Sequence, residues 1–210
     1  MTRPAGLRER KKLRTRETIA DVAIAMFLAE GFDRVSCAKV AAQAEVSKPT
    51  LFKYFPAKED LVLYRLADHQ DEAADVVRSR RSGESPLDAL RRHFLAGLAA
   101  RDPITGLNDA PEVIGLYRMI EDTTSLSVRM LGFTARRAEA LAEALTQARP
   151  SIEVPTRLVA HQITVTLRVL AEGNLDKLAG GRTADEVYPE AVSAADRAFG
   201  LLRNGLGAIL

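Results

Sequence analysis

Hydrophobic side chains recur at helical spacing along most of the chain, and long strand-like alternations of apolar and polar residues are absent. Near the N-terminus, the i, i+3, i+4 spacing of an amphipathic helix is followed by Ile19, Val22, Ala23, Met26 and Phe27. Gly31 suits the left-handed residue that ends such a helix. Similar patterns further along predict an all-α protein with about nine helices.

The stretch 36–58 has the signals of two short helices joined by a tight turn. Ser36 and Ser47 are good N-caps, and Pro49 falls in the first turn of the second helix, where no backbone donor is needed. Pro56 ends that helix, and a third helix is predicted to follow it and to run as far as Arg80 and Arg81. The sequence therefore predicts a helix-turn-helix within a three-helix N-terminal domain.

The rest of the chain is divided by breaks at residues 82–86, 102–111 and 149–155. Residues 158–170 are apolar on most sides, which predicts a helix buried all round. Residues 184–202 carry a narrow apolar stripe flanked by small residues. This last pair is either an intramolecular core pair or half of a four-helix dimer interface, and we favour the dimer.

Composition excludes several classes of protein. The chain has 210 residues, a net charge of +2 and a single cysteine, Cys37, so it cannot form an internal disulfide. It shows no signal-peptide pattern and no uncharged stretch long enough to span a membrane. We expect a cytoplasmic protein without a membrane partner.

Basic residues concentrate at the N-terminal end. Residues 1–60 hold twelve Lys and Arg against eight Asp and Glu, whereas the remainder holds eighteen against twenty. A dense basic run extends from Arg8 to Arg16. It is either a solvated arm or helix start, as most charge runs are, or an arm that reaches DNA phosphates or the minor groove.

Two lysines break a local rule. Lys48 and Lys58 both fall in the first turn of a predicted helix, where the helix dipole disfavours cations. They are either solvated at a small energetic cost or placed to meet a phosphate, which would bind the helix N-terminus and the lysine together.

Catalytic and metal-binding chemistry is poorly supported by the sequence. His69, His93 and His161 are far apart without a metal-ligand spacing, and His69 is expected on a solvated helix face near Asp68 and Asp71. No phosphate-binding or nucleophile motif is present. We therefore expect no enzyme activity, no metal site and no cofactor.

Three segments carry a family resemblance: AMFLAEGF at residues 25–32, VA at 40–41 and VSKPTLFKYFPAKEDL at 46–61. Residues 18–63 resemble the N-terminal domain of the TetR family of bacterial transcriptional regulators. Three positions depart from the family pattern. Glu45 stands where a glycine usually makes the turn, Phe52 where a tyrosine is common, and Ala57 where a serine usually caps a helix.

The resemblance implies a domain at residues 1–58 that binds a palindromic DNA operator, with the helix from Lys48 to Tyr54 in the major groove. Phosphate contacts would come from Lys48, Tyr54 and Lys58. Base edges would lie near Pro49, Thr50 and Lys53, of which Lys53 is the best candidate for reading guanine. Ser36 and Cys37 would approach the DNA backbone.

The resemblance also implies that residues 59–210 form a helical domain that binds a small-molecule inducer and dimerises through the last two helices. Inducer binding would shift the recognition helices by way of the helix near Lys58. Candidate pocket residues are Phe94, Leu98, Leu116, Tyr117, Ile120, Met130, Phe133, His161, Thr164 and Arg168. Arg168 either pairs with an anionic ligand or forms an internal salt bridge.

The function expected is a ligand-responsive repressor. Two alternatives are a transcriptional activator and an interaction protein of the same fold that does not bind a specific operator. Salt-dependent DNA binding would distinguish the last of these from a regulator.

Overall fold

Ten α-helices make up most of the chain, which we describe from a computed structural model covering residues 7–67, 69–148 and 155–205. No β-strand occurs in these ranges, which confirms the all-α prediction. The helices are α1 (Leu7–Glu30), α2 (Cys37–Gln43), α3 (Lys48–Tyr54), α4 (Lys58–Ala67), α5 (Glu72–Arg78), α6 (Pro86–Ala99), α7 (Pro111–Asp122), α8 (Thr124–Ala148), α9 (Thr156–Ala179) and α10 (Ala184–Asn204). A short 3-10 helix, Pro103–Thr105, lies in the loop between α6 and α7. None of the helices described has the length and apolarity needed to span a membrane.

The structure decides one alternative that the sequence left open and corrects one predicted helix boundary. The basic run is part of α1, although the side chain of Arg8 lies outside the described residues. The single helix predicted from Pro56 to Arg80 is wrong, because α4 and α5 are separate. The backbone N–H of Glu72 bonds to the carbonyl of His69, which makes a tighter turn than an α-helix allows. Residues 149–154, which make up most of the predicted break at 149–155, lie outside the described residues, and so does Asp68.

The chain divides into two compact units. The first comprises Met1–Arg65 and Gly115–Met130, and the second comprises Leu66–Ile114 and Leu131–Leu210. The functional division expected between residues 58 and 59 stays a prediction.

In the first unit, the apolar face of α1 packs on the short helices. Ile19, Phe27 and Leu51 are almost fully buried, and the rings of Phe27 and Phe32 lie 5.1 Å apart. Phe55, just after α3, meets Tyr64 of α4 edge to face at 5.6 Å. The helix-turn-helix is therefore held by aromatic side chains on both of its sides.

In the second unit, α5, α6, α8, α9 and α10 bury one contiguous apolar core, which includes Leu98, Leu141 and Phe199. The prediction that α9 is buried on all sides is wrong for the single chain. Leu158, Val165 and Val169 are about half exposed, and their spacing places them along one side of the helix. An apolar composition alone does not show whether the partner of a helix face belongs to the same chain.

The loop after α6 is fastened to α9 by a close backbone approach. Gly106 has a φ of +69°, and a Cβ at this position would lie 1.9 Å from the carbonyl oxygen of Ala171. Nearby, the buried amide of Asn174 donates to the carbonyl of Thr105 at 2.9 Å. Only glycine permits this approach, because any side chain would overlap the α9 backbone.

Candidate nucleic-acid interface

Local caps build the helix-turn-helix. The Ser36 side chain accepts a hydrogen bond from the backbone N–H of Lys39 at 3.2 Å, and Ser47 accepts one from Thr50 at 3.2 Å. The Ser47 and Thr50 hydroxyl oxygens also lie 2.8 Å apart. Each bond satisfies a backbone donor that a short helix leaves unpaired at its start. Both predicted caps are confirmed.

The turn between α2 and α3 contains an unusual residue. Glu45 has a φ of +54°, in the left-handed region that favours glycine. A non-glycine residue in this conformation costs about 1 to 2 kcal/mol. The turn is therefore made despite the departure from the family pattern, but at an energetic cost.

The outer side of α3 presents most of the predicted DNA contacts. Lys48, Pro49 and Lys53 are exposed, Thr50 and Tyr54 are half-buried, and Leu51 points into the core. Among the described residues, Lys48 and Lys53 have no ion-pair partner. Ser36 is exposed at the start of α2, and Cys37 is half-buried beside it. The exposed surface of the helix thus offers free cations and polar groups.

Lys48 has an aromatic neighbour on this surface. Its ammonium lies 5.9 Å from the ring centroid of Phe52, whose side chain is itself 38% exposed. An exposed ring beside a lysine lowers the cost of placing a cation at the helix start. Phe52 therefore contributes here without the hydroxyl that a tyrosine would bring.

Lys58 differs from the other predicted phosphate contacts. Its Nζ donates to the carbonyl oxygen of Phe32 at 2.6 Å and lies 4.3 Å from the centroid of the Phe32 ring. The ring of Phe27 is 5.5 Å away. In this conformation the ammonium is used inside the domain, and a phosphate would have to displace it from the Phe32 carbonyl.

The basic residues of α1 divide into two groups. Arg10, Lys11, Lys12 and Arg14 are exposed and have no ion-pair partner among the described residues. Arg16 instead packs its guanidinium over the rings of Phe55 and Tyr64, at 5.5 and 4.4 Å from their centroids. The first group is available to an external anion, whereas Arg16 has a structural role.

Cations of the second unit are more often neutralised by an ion pair than the cations of α1 and α3 are. Arg91 pairs with Asp196 at 2.6 Å, and Arg182 pairs with Glu190 at 2.8 Å. Free positive charge is therefore concentrated on α1 and α3, as a surface that binds a polyanion requires.

The predicted ligand residues do not fall in one unit. Leu116, Tyr117, Ile120 and Met130 belong to the first unit, whereas the second contains Phe94, Leu98, Phe133, His161, Thr164 and Arg168. Phe94, Leu98 and Thr164 are buried.

Two polar members of that set lie on the exposed side of α9. His161 is exposed, and Arg168 is exposed and pairs with Glu172 at 2.6 Å. The internal salt bridge that the sequence left open for Arg168 is thus the contact observed.

One cluster was missed by sequence reasoning. Glu72 lies between two histidines, with its Oε2 2.8 Å from His69 Nδ1 and its Oε1 2.8 Å from His93 Nε2. The expectation that His69 lies on a solvated helix face is wrong, because this side chain is half-buried beside Glu72. No group of three or more metal-ligand side chains with suitable geometry occurs among the described residues.

The cluster changes the pKa of all three groups. The hydrogen bond to Glu72 raises the pKa of His69 and likewise that of His93, with Asp102 adding to both effects. The hydrogen bonds from His69 and then His93 hold the pKa of Glu72 far below its usual value. A lowered carboxyl pKa stabilises the fold above its unfolded value of 4.5, and raised histidine pKa values stabilise it below 6.5. The three groups therefore stabilise the fold most between these two pH values.

Comparisons with known proteins agree with this architecture. Residues 19–64 match the family described as bacterial regulatory proteins, tetR family. A stretch of 136 residues is 32% identical to the HTH-type transcriptional regulator TcmR of Streptomyces glaucescens, covering 64% of this chain and 58% of that protein. An 89-residue stretch is 29% identical to the uncharacterized HTH-type transcriptional regulator YuxN of Bacillus subtilis (strain 168), covering 42% of this chain and 29% of that protein. The matches span less than two thirds of either curated relative.

Solved structures extend the similarity of fold beyond the N-terminal unit. A SmeT–triclosan complex aligns with a TM-score of 0.59 at 16% identity, covering 93% of this chain and 91% of that one. FadR of Thermus thermophilus, in complex with lauroyl-CoA, aligns with a TM-score of 0.58 at 19% identity, covering 91% and 94%. Residues 19–64 therefore form a DNA-binding domain of the TetR family of bacterial regulatory proteins, and the chain as a whole shares the all-helical fold of these solved structures.

Proposed function

We propose that this protein is a dimeric transcriptional regulator that represses genes from a palindromic operator until a small molecule releases it. The observation that carries the proposal is the outer face of α3, where Lys48 and Lys53 are exposed without ion-pair partners. A helix of this size fits the major groove of DNA. The proposed DNA contacts are Ser36, Lys48, Pro49, Thr50, Lys53 and Tyr54. Lys58 joins them only if phosphate displaces it from Phe32.

The roles of these contacts differ. Lys48 and Tyr54 would hold phosphates and fix the register of α3, which carries no sequence information by itself. Lys53 would read a base edge, with guanine O6 and N7 as the acceptors that a lysine reaches best. Removing the first kind of contact should weaken binding to all sequences equally, whereas removing the second should relax specificity at one position.

The dimer is supported by the exposed apolar side of α9. Leu158, Val165 and Val169 would be covered by a second copy of this chain. Val165→Lys with Val169→Lys should give a monomer in sedimentation experiments, because charged residues would then be buried in the interface. The control is Val128→Lys, which alters a more exposed valine on α8 and should leave a dimer.

The ligand response is supported by the fold and by the apolar candidates Phe94, Leu98 and Phe133. SmeT and Thermus thermophilus FadR have similar folds and were solved with triclosan and lauroyl-CoA, respectively. These two compounds are suitable first probes. A ligand that binds the folded state raises the melting temperature as its concentration rises above its Kd. If the ligand weakens DNA binding, expression of a reporter gene should rise for a repressor and fall for an activator.

The decisive experiment selects duplexes from a random DNA library with the full chain. We expect one palindromic sequence to emerge and to bind with a steep salt dependence. Lys48→Ala should reduce the slope of log K against log salt concentration by about 1. Arg81→Ala removes an exposed cation from the loop before α6 and should leave the slope unchanged. Failure to enrich any sequence would favour an interaction protein over a regulator.

A further inference from the structure

The link between α3 and α4 is unusually short and tightly held. Only residues 55–57 separate the two helices, and the first of them, Phe55, is fully buried. The backbone N–H of Ala57 donates to Asp60 Oδ2 at 3.0 Å, which ties the link to the first turn of α4. The position of that turn therefore fixes the position of the C-terminal end of α3.

Three cations hold this link, and each comes from a different helix. Arg16 of α1 packs over Phe55 and Tyr64, and Lys58 of α4 reaches the Phe32 carbonyl. Both of these contacts are internal to the segment that contains the helix-turn-helix. The third cation is Arg129 of α8, more than sixty residues further along the chain.

Arg129 contacts the other oxygen of the same carboxylate. Its Nε lies 2.7 Å from Asp60 Oδ1, and its Nη2 lies 2.6 Å from the same atom. The Asp60 side chain is only 15% exposed, so its charge is largely shielded from water. Asp60 thus joins the α3–α4 link through one oxygen and α8 through the other.

A charge-assisted pair of this kind is stronger and more directional than an ordinary surface contact. Ala57, Asp60 and Arg129 all lie in the first compact unit, so their contacts are part of one packed body. The helix that carries Arg129 continues to Ala148, well beyond this unit.

We propose that Arg129 is a positioning residue for DNA recognition, which holds the first turn of α4 through Asp60 and thereby orients α3. The inference rests on the proposed function, since it concerns how the DNA-reading helix is placed. Arg129 does not contact DNA in this proposal.

The test compares Arg129→Met, Arg129→Lys and the matched control Arg136→Met. Arg136 lies on the same helix, but its guanidinium packs over Phe133 at 4.5 Å from the ring centroid. The probe is the duplex that the wild-type chain selects from the random library. Arg129→Met should bind it about tenfold more weakly, with an unchanged salt slope. Arg129→Lys should restore most of the affinity, and Arg136→Met should bind like the wild type.

Hydrogen exchange of the DNA-free protein supplies a second measurement. In Arg129→Met, the amides of residues 55–63 should lose protection, while those of α6 and α10 keep it. Unchanged affinity with unchanged protection would overturn the proposal. So would a loss of protection throughout the chain, which would mean that Arg129 only stabilises the fold.

Two further outcomes separate this proposal from the proposed function. A fall of about 1 in the salt slope of Arg129→Met would make Arg129 a phosphate contact and would refute a positioning role. If the wild-type chain selects no duplex, the proposed function fails. Hydrogen exchange then decides by itself whether Arg129 holds the start of α4.

Discussion

Gly106 offers a sharp test of how the loop after α6 is held against α9. In Gly106→Ala, the new Cβ would lie 1.9 Å from the Ala171 carbonyl oxygen and 2.6 Å from the Ala171 carbonyl carbon. Both atoms belong to a helix backbone, which cannot turn aside as a side chain can. The loop must therefore move by more than 1 Å to reach an ordinary contact distance.

The magnitude follows from what this movement breaks. The amide of Asn174, which is 3% exposed, would lose the Thr105 carbonyl, and a buried unpaired amide costs about 1 to 3 kcal/mol. Leu107, fully buried beside Gly106, would lose part of its packing, worth about another 1 to 2 kcal/mol. The left-handed conformation of the alanine adds about 1 kcal/mol. The sum is about 3 to 6 kcal/mol, or a fall of roughly 6 to 24 °C in the melting temperature of a chain of this size.

Gly83→Ala provides the matched control. Gly83 has a φ of +78°, close to the +69° of Gly106, but no atom lies within 4 Å of a Cβ built there. This variant keeps the conformational cost and lacks the overlap, so it should lose about 1 kcal/mol at most. Urea unfolding monitored by circular dichroism measures the free energy of unfolding of both variants.

The difference between the two variants isolates the backbone overlap. If both lose the same stability, then the loop does not press on α9 as the structure shows, and the reasoning is refuted. If Gly106→Ala loses stability only because Asn174 is left without its hydrogen-bond partner, then Asn174→Ala should lose the same amount of stability. That comparison separates the hydrogen bond from the overlap.

Three other changes test features of the site. In urea unfolding, Glu72→Gln should lose about 1 kcal/mol of stability between pH 4.5 and 6.5, and less at higher pH, where its two histidine partners are neutral. The control is Glu84→Gln, whose partner is an arginine and whose loss of stability should be the same on both sides of pH 6.5. Glu45→Gly should raise the free energy of unfolding by up to about 1 kcal/mol, since glycine relieves the positive φ, and a loss of stability would mean that the glutamate side chain makes a compensating contact. Lys58→Met should lower the melting temperature without changing the salt slope of DNA binding, and a slope reduced by about 1 would show instead that Lys58 reaches a phosphate.

The helix-turn-helix was predictable because its signals are local. Ser36 and Ser47 cap helices whose donors lie three residues away, and Pro49 and Pro56 act on their own backbone. The apolar spacing around Phe27 likewise needs only one turn of helix to show which face is buried. Such interactions can be read from a few neighbouring residues, so the sequence by itself determined the helical class, the DNA-reading motif and most helix boundaries.

The tertiary structure decided which distant side chains meet. Glu72 joins two histidines, one of them 21 residues away, and Lys58 bonds to a carbonyl 26 residues earlier in the chain. Asp60 meets Arg129, and Asn174 meets Thr105, both across 69 residues. Nothing in the spacing of polar residues fixes such pairs, because they depend on how whole helices pack. The sequence thus predicted which cations would meet DNA, and the fold decided that Arg16, Lys58 and Arg129 are used internally.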